Sequence, residues 1–195
     1  ISNRLGWLIS PEVTGRSLNE IKNFVKEIRT EGFTHALLMG MGGSSLAPEV
    51  FRFTFGVKEG YLDLAVLDTT DPDAILGIEK KLDLAKTLYI VSTKSGGTVE
   101  TISFMKYFYN SVLKNLGKEK VSHHFVAITD PGSGLEQMAK DLNFRKIFLN
   151  DPDIGGRYSA LSLFGIVPAA LIGVDVEKLI LIAQKEVEFC KNSGE

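Results

Sequence analysis

The chain has 195 residues, 44% of them apolar and 24% charged, which suits one domain with a real core and excludes a disordered segment. Its 22 basic and 24 acidic side chains leave a net charge of −2, so it lacks the basic footprint of a nucleic-acid or acidic-membrane binder. Cys190 is the one cysteine, which excludes an intrachain disulfide and a multi-cysteine metal site and fits a reducing cytoplasm. The longest run without an ionisable Asp, Glu, Lys, Arg or His, Tyr158 to Val174, is 17 residues. A membrane span needs ~20 mostly apolar residues, and this run carries Ser159, Ser162, Gly165, Pro168 and Gly173, so it reads as a buried helix. No signal peptide opens the sequence. A start on Ile1 and a polar tail, Asn192-Ser193-Gly194-Glu195, predict a piece of a longer polypeptide. A single domain is expected over 1–195, with 175–195 as its terminal helix and tail.

In chain order, Ser17-Leu18-Asn19-Glu20 reads as a capping box, and Leu18, Ile21, Val25 and Ile28 follow at helical spacing. Thr34 to Met39 reads as a buried strand, then a glycine-rich turn, then a helix from about Ser45 to Phe55. A second strand, Leu62 to Leu67, leads through Asp71-Pro72 into a helix running to about Leu82. Thr87 to Ser92 is the third strand. A second glycine-rich loop and a long helix bearing Ile102, Met105, Tyr109, Val112 and Leu116 come next. Phe125 to Ile128 is the fourth strand, followed by Asp130-Pro131-Gly132 and a second capping box, Ser133 to Glu136. Lys146 to Leu149 is the fifth, and two helices close the chain. Five alternations of strand and helix predict an α/β fold, a three-layer α/β/α sandwich on a five-stranded parallel sheet, with flavodoxin-like order 2-1-3-4-5.

Two loops stand out: Gly40-Met41-Gly42-Gly43-Ser44-Ser45 after strand 1, and Ser92-Thr93-Lys94-Ser95-Gly96-Gly97-Thr98 after strand 3. Both combine glycine, which lets backbone N–H groups approach a ligand, with hydroxyl donors and a following helix N-terminus. Together these form an anion cradle suited to phosphate. In the expected order, strands 1 and 3 are neighbours, so both loops should face one crevice at their carboxyl ends. A dinucleotide fingerprint wants a third glycine where Ser45 stands, and Asp68 lies 28 residues after Gly40 rather than ≈20. A Walker A loop is absent. A small phosphorylated ligand therefore ranks above NAD or ATP. After strand 5, Gly155-Gly156-Arg157 brings backbone close and aims a guanidinium, the natural partner of a phosphate, a carboxylate or a developing oxyanion.

These three motifs, in this order and spacing, resemble the glucose-6-phosphate isomerase family, and the likeness covers nearly the whole chain. Arg4-Leu5-Gly6-Trp7 and Gly32-Phe33-Thr34-His35 look most like bacterial members, including those fused behind a transaldolase. The resemblance implies a sugar isomerase (SIS) domain. It implies that Gly43 and Ser44 contact substrate, that Thr93, Lys94, Ser95 and Thr98 with the backbone of Gly96 and Gly97 hold the 6-phosphate, and that Arg157 sits beside C1 and C2 of the sugar. One departure is visible five residues before that arginine. The family usually carries an acid or amide there; this chain has Pro152, flanked by Asp151 and Asp153.

The implied reaction is the interconversion of glucose 6-phosphate and fructose 6-phosphate through a cis-enediol, with no metal or organic cofactor. The family's base glutamate lies well downstream of the arginine, and this chain ends 38 residues after Arg157. The ring-opening histidine and a C-terminal lysine should likewise lie downstream or on a second subunit. The isolated chain is thus expected to be inactive, and the intact enzyme a cytoplasmic homodimer. Glu100 matches a family glutamate that is not the base. His35, His123 and His124 match no catalytic position, and the two adjacent ones read as ordinary surface or strand-edge residues. The final two helices are expected to expose apolar surface. Two other readings stay open: a non-catalytic phosphosugar sensor of a regulator, which would need a DNA-binding segment, and a nucleotide-binding module.

Overall fold

A computed structural model describes residues 5–192; Arg4 and the tail residues Ser193, Gly194 and Glu195 lie outside them. Five strands, β1 (His35–Gly40), β2 (Asp63–Leu67), β3 (Thr87–Ser92), β4 (Phe125–Thr129) and β5 (Lys146–Leu149), form one parallel sheet in the order β2-β1-β3-β4-β5. That is the expected order. The strands read as apolar runs because both faces of the sheet are covered. Ala36 and Leu38 point to one layer, Leu37 and Met39 to the other, and all four are fully buried.

Among the described residues nine α-helices cover the sheet: α1 (Ser10–Gly15), α2 (Leu18–Thr30), α3 (Leu46–Phe55), α4 (Pro72–Glu79), α5 (Val99–Leu116), α6 (Lys118–Val121), α7 (Gly134–Asp141), α8 (Leu163–Leu171) and α9 (Val176–Asn192). One face packs Ile21, Phe24, Val25 and Ile28 of α2 with α8, all nine of whose residues are buried, and Phe51 of α3 lies against them. The other packs Phe104, Phe108 and Val112 of α5 with Leu135 of α7. The helices following β1 and β3 therefore lie on opposite faces. Of the uncharged run only Leu163–Leu171 forms the expected buried helix; its first residues make a turn and Tyr158 is exposed.

Several local readings need correction. Ser17 does begin α2, but its side chain caps nothing: α1 runs straight into it, and Ser17 sits at φ −94°, ψ −3°, near helical geometry, instead of the extended conformation a cap requires. The second box forms one arm as expected, with Ser133 Oγ accepting from Glu136 N–H at 3.1 Å, but the Glu136 carboxylate reaches Gly132 N–H. Lys140 and that N–H hold the Glu136 carboxyl below its ordinary value. His124 is a buried core residue, contrary to the surface reading, with Nδ1 2.9 Å from the Thr87 carbonyl. A short 3-10 turn over Ser122–His124 rotates it inward before β4 begins. Of the final two helices only α9 exposes large apolar side chains, Leu181, Ile182 and Phe189; a second such face lies on α3.

Candidate active site

β1 and β3 end level with each other, Gly40 opposite Ser92 in register. A Cβ on Gly40 would stand 2.9 Å from the Ser92 carbonyl oxygen, so glycine lets the chain leave β1 tightly. The β1 loop then makes a 3-10 turn, Gly42–Ser44, with Gly42 at φ +56°, a conformation glycine adopts at no steric cost. The segment after β5 makes another, Gly156–Tyr158. The two turns meet backbone to backbone: a Cβ on Gly43 would fall 2.2 Å from the Gly156 carbonyl oxygen. Ser159 staples them, its hydroxyl lying 2.9 Å from the Gly43 carbonyl oxygen and 2.7 Å from that of Gly156.

The β3 loop lies on the other side. Ser92 Oγ donates to the Ser44 carbonyl at 3.3 Å, and the Thr93 and Thr98 hydroxyls stand 3.0 Å apart. Thr129 at the end of β4 braces this loop from behind, donating to the Thr93 carbonyl at 2.7 Å. Between the loops lies an open cleft of about 520 Å³, walled by Gly43, Ser44, Thr93, Lys94, Ser95 and Thr98 with Asp130, Pro152 and Gly156. The two glycine-rich loops thus face one crevice beyond the carboxyl ends of neighbouring strands. Thr98 precedes α5 without capping it through its side chain, so the first-turn N–H groups of a long helix are left for a ligand.

Not every expected site residue lines the cleft. Gly96 is buried at φ +70° behind the loop, where a Cβ would stand 2.5 Å from the Leu135 backbone nitrogen. Its glycine is required by packing against α7. The Gly97 N–H turns back onto Ser95 Oγ at 3.3 Å. Arg157 is exposed beside the cleft, one residue from its wall at Gly156, and has no ion-pair or hydrogen-bond partner among the described residues. The Ser44 hydroxyl is likewise unpartnered. Glu100 lies in the first turn of α5 and does not line the cleft.

Sequence reasoning passed over Asp130. It follows β4 directly and forms an ion pair with Lys94, whose Nζ also donates to the Pro152 carbonyl at 2.8 Å. Its position just past the carboxyl end of the strand beside β3 was the available signal. The chain's opening residues were also underused. Leu5 pairs with Ile154, Gly6 N–H donates to the Asp153 carbonyl at 3.1 Å, and Trp7 stacks on Tyr158 with ring centroids 5.3 Å apart. This segment props the turn that carries Arg157. Among the described residues no group of three or more His, Cys, Asp or Glu side chains could hold a metal, and no helix is long and apolar enough to cross a membrane.

The chain is similar to known proteins. Residues 6–189 match the model of the family described as phosphoglucose isomerase. The chain is 32% identical to the glucose-6-phosphate isomerase of Carboxydothermus hydrogenoformans over 97% of its own length and 42% of that protein's. It is 34% identical to a glucose-6-phosphate isomerase of Thermus thermophilus, over 94% of this chain and 43% of the other. Its fold superposes on a hypothetical protein of Thermus thermophilus with a TM-score of 0.87 at 33% identity, covering 95% of this chain and 43% of that one. A glucose-6-phosphate isomerase of Chlamydia trachomatis gives a TM-score of 0.71 at 26% identity, over 83% and 30% of the two chains. The chain thus spans less than half the length of the curated relatives it matches. A family model spanning nearly all of the chain, on a sheet whose neighbouring glycine-rich loops share one cleft, means that this chain belongs to the phosphoglucose isomerase family.

Proposed function

We propose that this chain is the phosphosugar-binding domain of a glucose-6-phosphate isomerase, converting glucose 6-phosphate to fructose 6-phosphate and back. The observation that carries the reading is the cleft itself. The β1 loop, with the Arg157 turn stapled to it, faces the β3 loop and the α5 N-terminus across the cleft, and the guanidinium has no acidic partner among the described residues.

Each part has a chemical task. Ser44, Thr93, Ser95 and Thr98 offer neutral hydroxyl donors, and the backbone of Gly43, Lys94, Gly96 and Gly97 shapes the turns that hold the 6-phosphate against the α5 dipole. That grip is remote from the bond changes; its binding energy orients the open-chain sugar and helps lower the barrier. A carboxylate base moves the proton between C2 and C1 through a cis-enediol. The Arg157 guanidinium stabilises negative charge growing on the enediol oxygens. Its lack of an acidic partner supports that role, because a paired guanidinium would be largely neutralised before substrate arrived.

The base, the ring-opening histidine and a lysine belong to protein outside this chain in the proposal, consistent with relatives more than twice as long. A cytoplasmic homodimer acting in glycolysis goes with it. Support for association comes from α3, where Leu46, Val50 and Phe53 are 60%, 58% and 73% exposed, and contiguous apolar exposure of this kind marks surfaces that other protein covers.

Calorimetric titration with 6-phosphogluconate and with NAD tests the reading. Binding of the sugar acid without measurable turnover of glucose 6-phosphate is expected. Binding of NAD alone would overturn it, and strong isomerase activity from this chain alone would refute the external base.

A further inference from the structure

Lys94 lies in the middle of the phosphate loop, where a cation is the obvious ligand for a dianion. Its surroundings argue otherwise. The ammonium is paired with Asp130, and the two side chains are only 24% and 13% exposed. A second Nζ proton goes to the Pro152 carbonyl at 2.8 Å. An ammonium has three protons, so two are committed and its charge is opposed by a largely buried carboxylate before any ligand arrives.

The three groups come from three different strand ends. Lys94 follows β3, Asp130 follows β4, and Pro152 follows β5. The β3 and β4 loops are also joined through backbone, with Thr93 N–H donating to the Ile128 carbonyl at 3.1 Å and Asp130 N–H to the Lys94 carbonyl at 3.3 Å. The Lys94–Pro152 bond reaches the segment that leads into Gly155, Gly156 and Arg157. Asp130 keeps the ammonium in place for it. Its second oxygen, Oδ1, is buried without a hydrogen-bond partner among the described residues, so the carboxylate depends on Lys94 for compensation and cannot easily release it.

We propose that Lys94 is a strut held by Asp130, and that the pair fixes the spacing between the phosphate grip and Arg157. Asp130 is then a positioning residue for the isomerase site, and the phosphate is held by neutral donors. This rests on the phosphosugar reading above for its functional meaning, but the strut itself is testable without it. A backbone carbonyl serves as the acceptor, so the proline at position 152 is no obstacle to the contact.

The test uses Asp130→Asn, Lys94→Met and the double variant, each with two probes and one ligand-free measurement. Inorganic phosphate reports the grip alone; 6-phosphogluconate carries a carboxylate at the far end and reports the grip together with Arg157. Each single variant should lose about tenfold in affinity for 6-phosphogluconate and the double variant no more, as for two members of one coupled unit. Affinity for inorganic phosphate should change less than about twofold. Without ligand, amide exchange across 154–158 should quicken in both single variants while β1 and β3 stay protected, which separates a local effect from misfolding. Weaker phosphate binding in Lys94→Met with stronger binding in Asp130→Asn would show Lys94 to be a direct phosphate ligand and overturn the proposal. Unchanged exchange across 154–158 in both variants would overturn it too. If the unaltered chain binds neither probe, the phosphosugar reading fails, and the exchange result alone judges the strut.

Discussion

At the amino end of the sheet, polar side chains are spent on one another; at the carboxyl end, several are held open. Arg145, just before β5, places Nη2 2.5 Å from each Glu31 carboxylate oxygen and 3.4 Å from Glu27, with its guanidinium over the Phe33 ring. Arg29 donates Nε to the Gly60 carbonyl at 2.6 Å and lies over Tyr61. His124 is fixed on the Thr87 carbonyl. Across the sheet, Arg157 and the Ser44 hydroxyl have no partner among the described residues. One architecture thus has a closed end and an open end. The contrast concerns partners and not burial: Arg157 is exposed and hydrated until a ligand replaces the water, whereas Arg145, despite its two glutamates, keeps a buried Nη1 without a hydrogen-bond partner among the described residues.

The sharpest way to break this contrast is to put the same change at each end. Gly43→Ala drives a methyl into the Gly156 carbonyl, separating the first turn from the third. Because a hydrogen bond to a charged group is worth about 1.5–3 kcal/mol, loss of one such contact should lower 6-phosphogluconate affinity by about tenfold to a hundredfold in calorimetry. Gly60→Ala is the counterpart: Gly60 has φ +76° and a Cβ there would meet Arg29 Nη2 at 3.3 Å. It should cost about 1 kcal/mol of stability and leave affinity unchanged. Equal binding losses would erase the distinction between the ends.

Arg145→Met is expected to cost about 2 kcal/mol in urea unfolding, because the buried guanidinium leaves Glu31 and Glu27 without it, moderated by the exposure of both carboxylates. Ligand affinity should not move. The smallest effect concerns pH. Burial pushes the His124 imidazole below its usual 6.5, so the unfolded chain takes up a proton more readily than the folded one. This contribution is fully present above about pH 6.5 and is lost as pH falls toward the lower folded value. His124→Asn keeps a donor for the Thr87 carbonyl and does not titrate. Unfolding free energies measured from pH 7.5 to pH 5 should fall less in that variant, by under about 1 kcal/mol.

Legibility in the sequence followed the same division between local and distant causes. Strands and long helices were readable because apolar runs and helical spacing are local signals: β3 and β5 begin and end where their patterns do. The two cradle loops were readable because glycine and hydroxyls cluster within a few residues. Asp130 was not, since its meaning lies in a partner 36 residues away. Nor was the brace from Gly6 to Asp153, which joins opposite ends of the sequence. Gly96 carried a plausible ligand role from its neighbours, yet its close approach to Leu135 alone demands a glycine. His124 was misplaced because period-two reasoning was applied to a residue that precedes the strand in a 3-10 turn.

Backbone amide shifts during titration with 6-phosphogluconate test the open end most directly. The largest movements are expected on 43–44, 93–100 and 155–158, with residues 58–61 and 122–124 at the closed end unmoved. Movements confined to the closed end, or to the β3 loop with no response across 155–158, would contradict a site shared between the phosphate grip and Arg157.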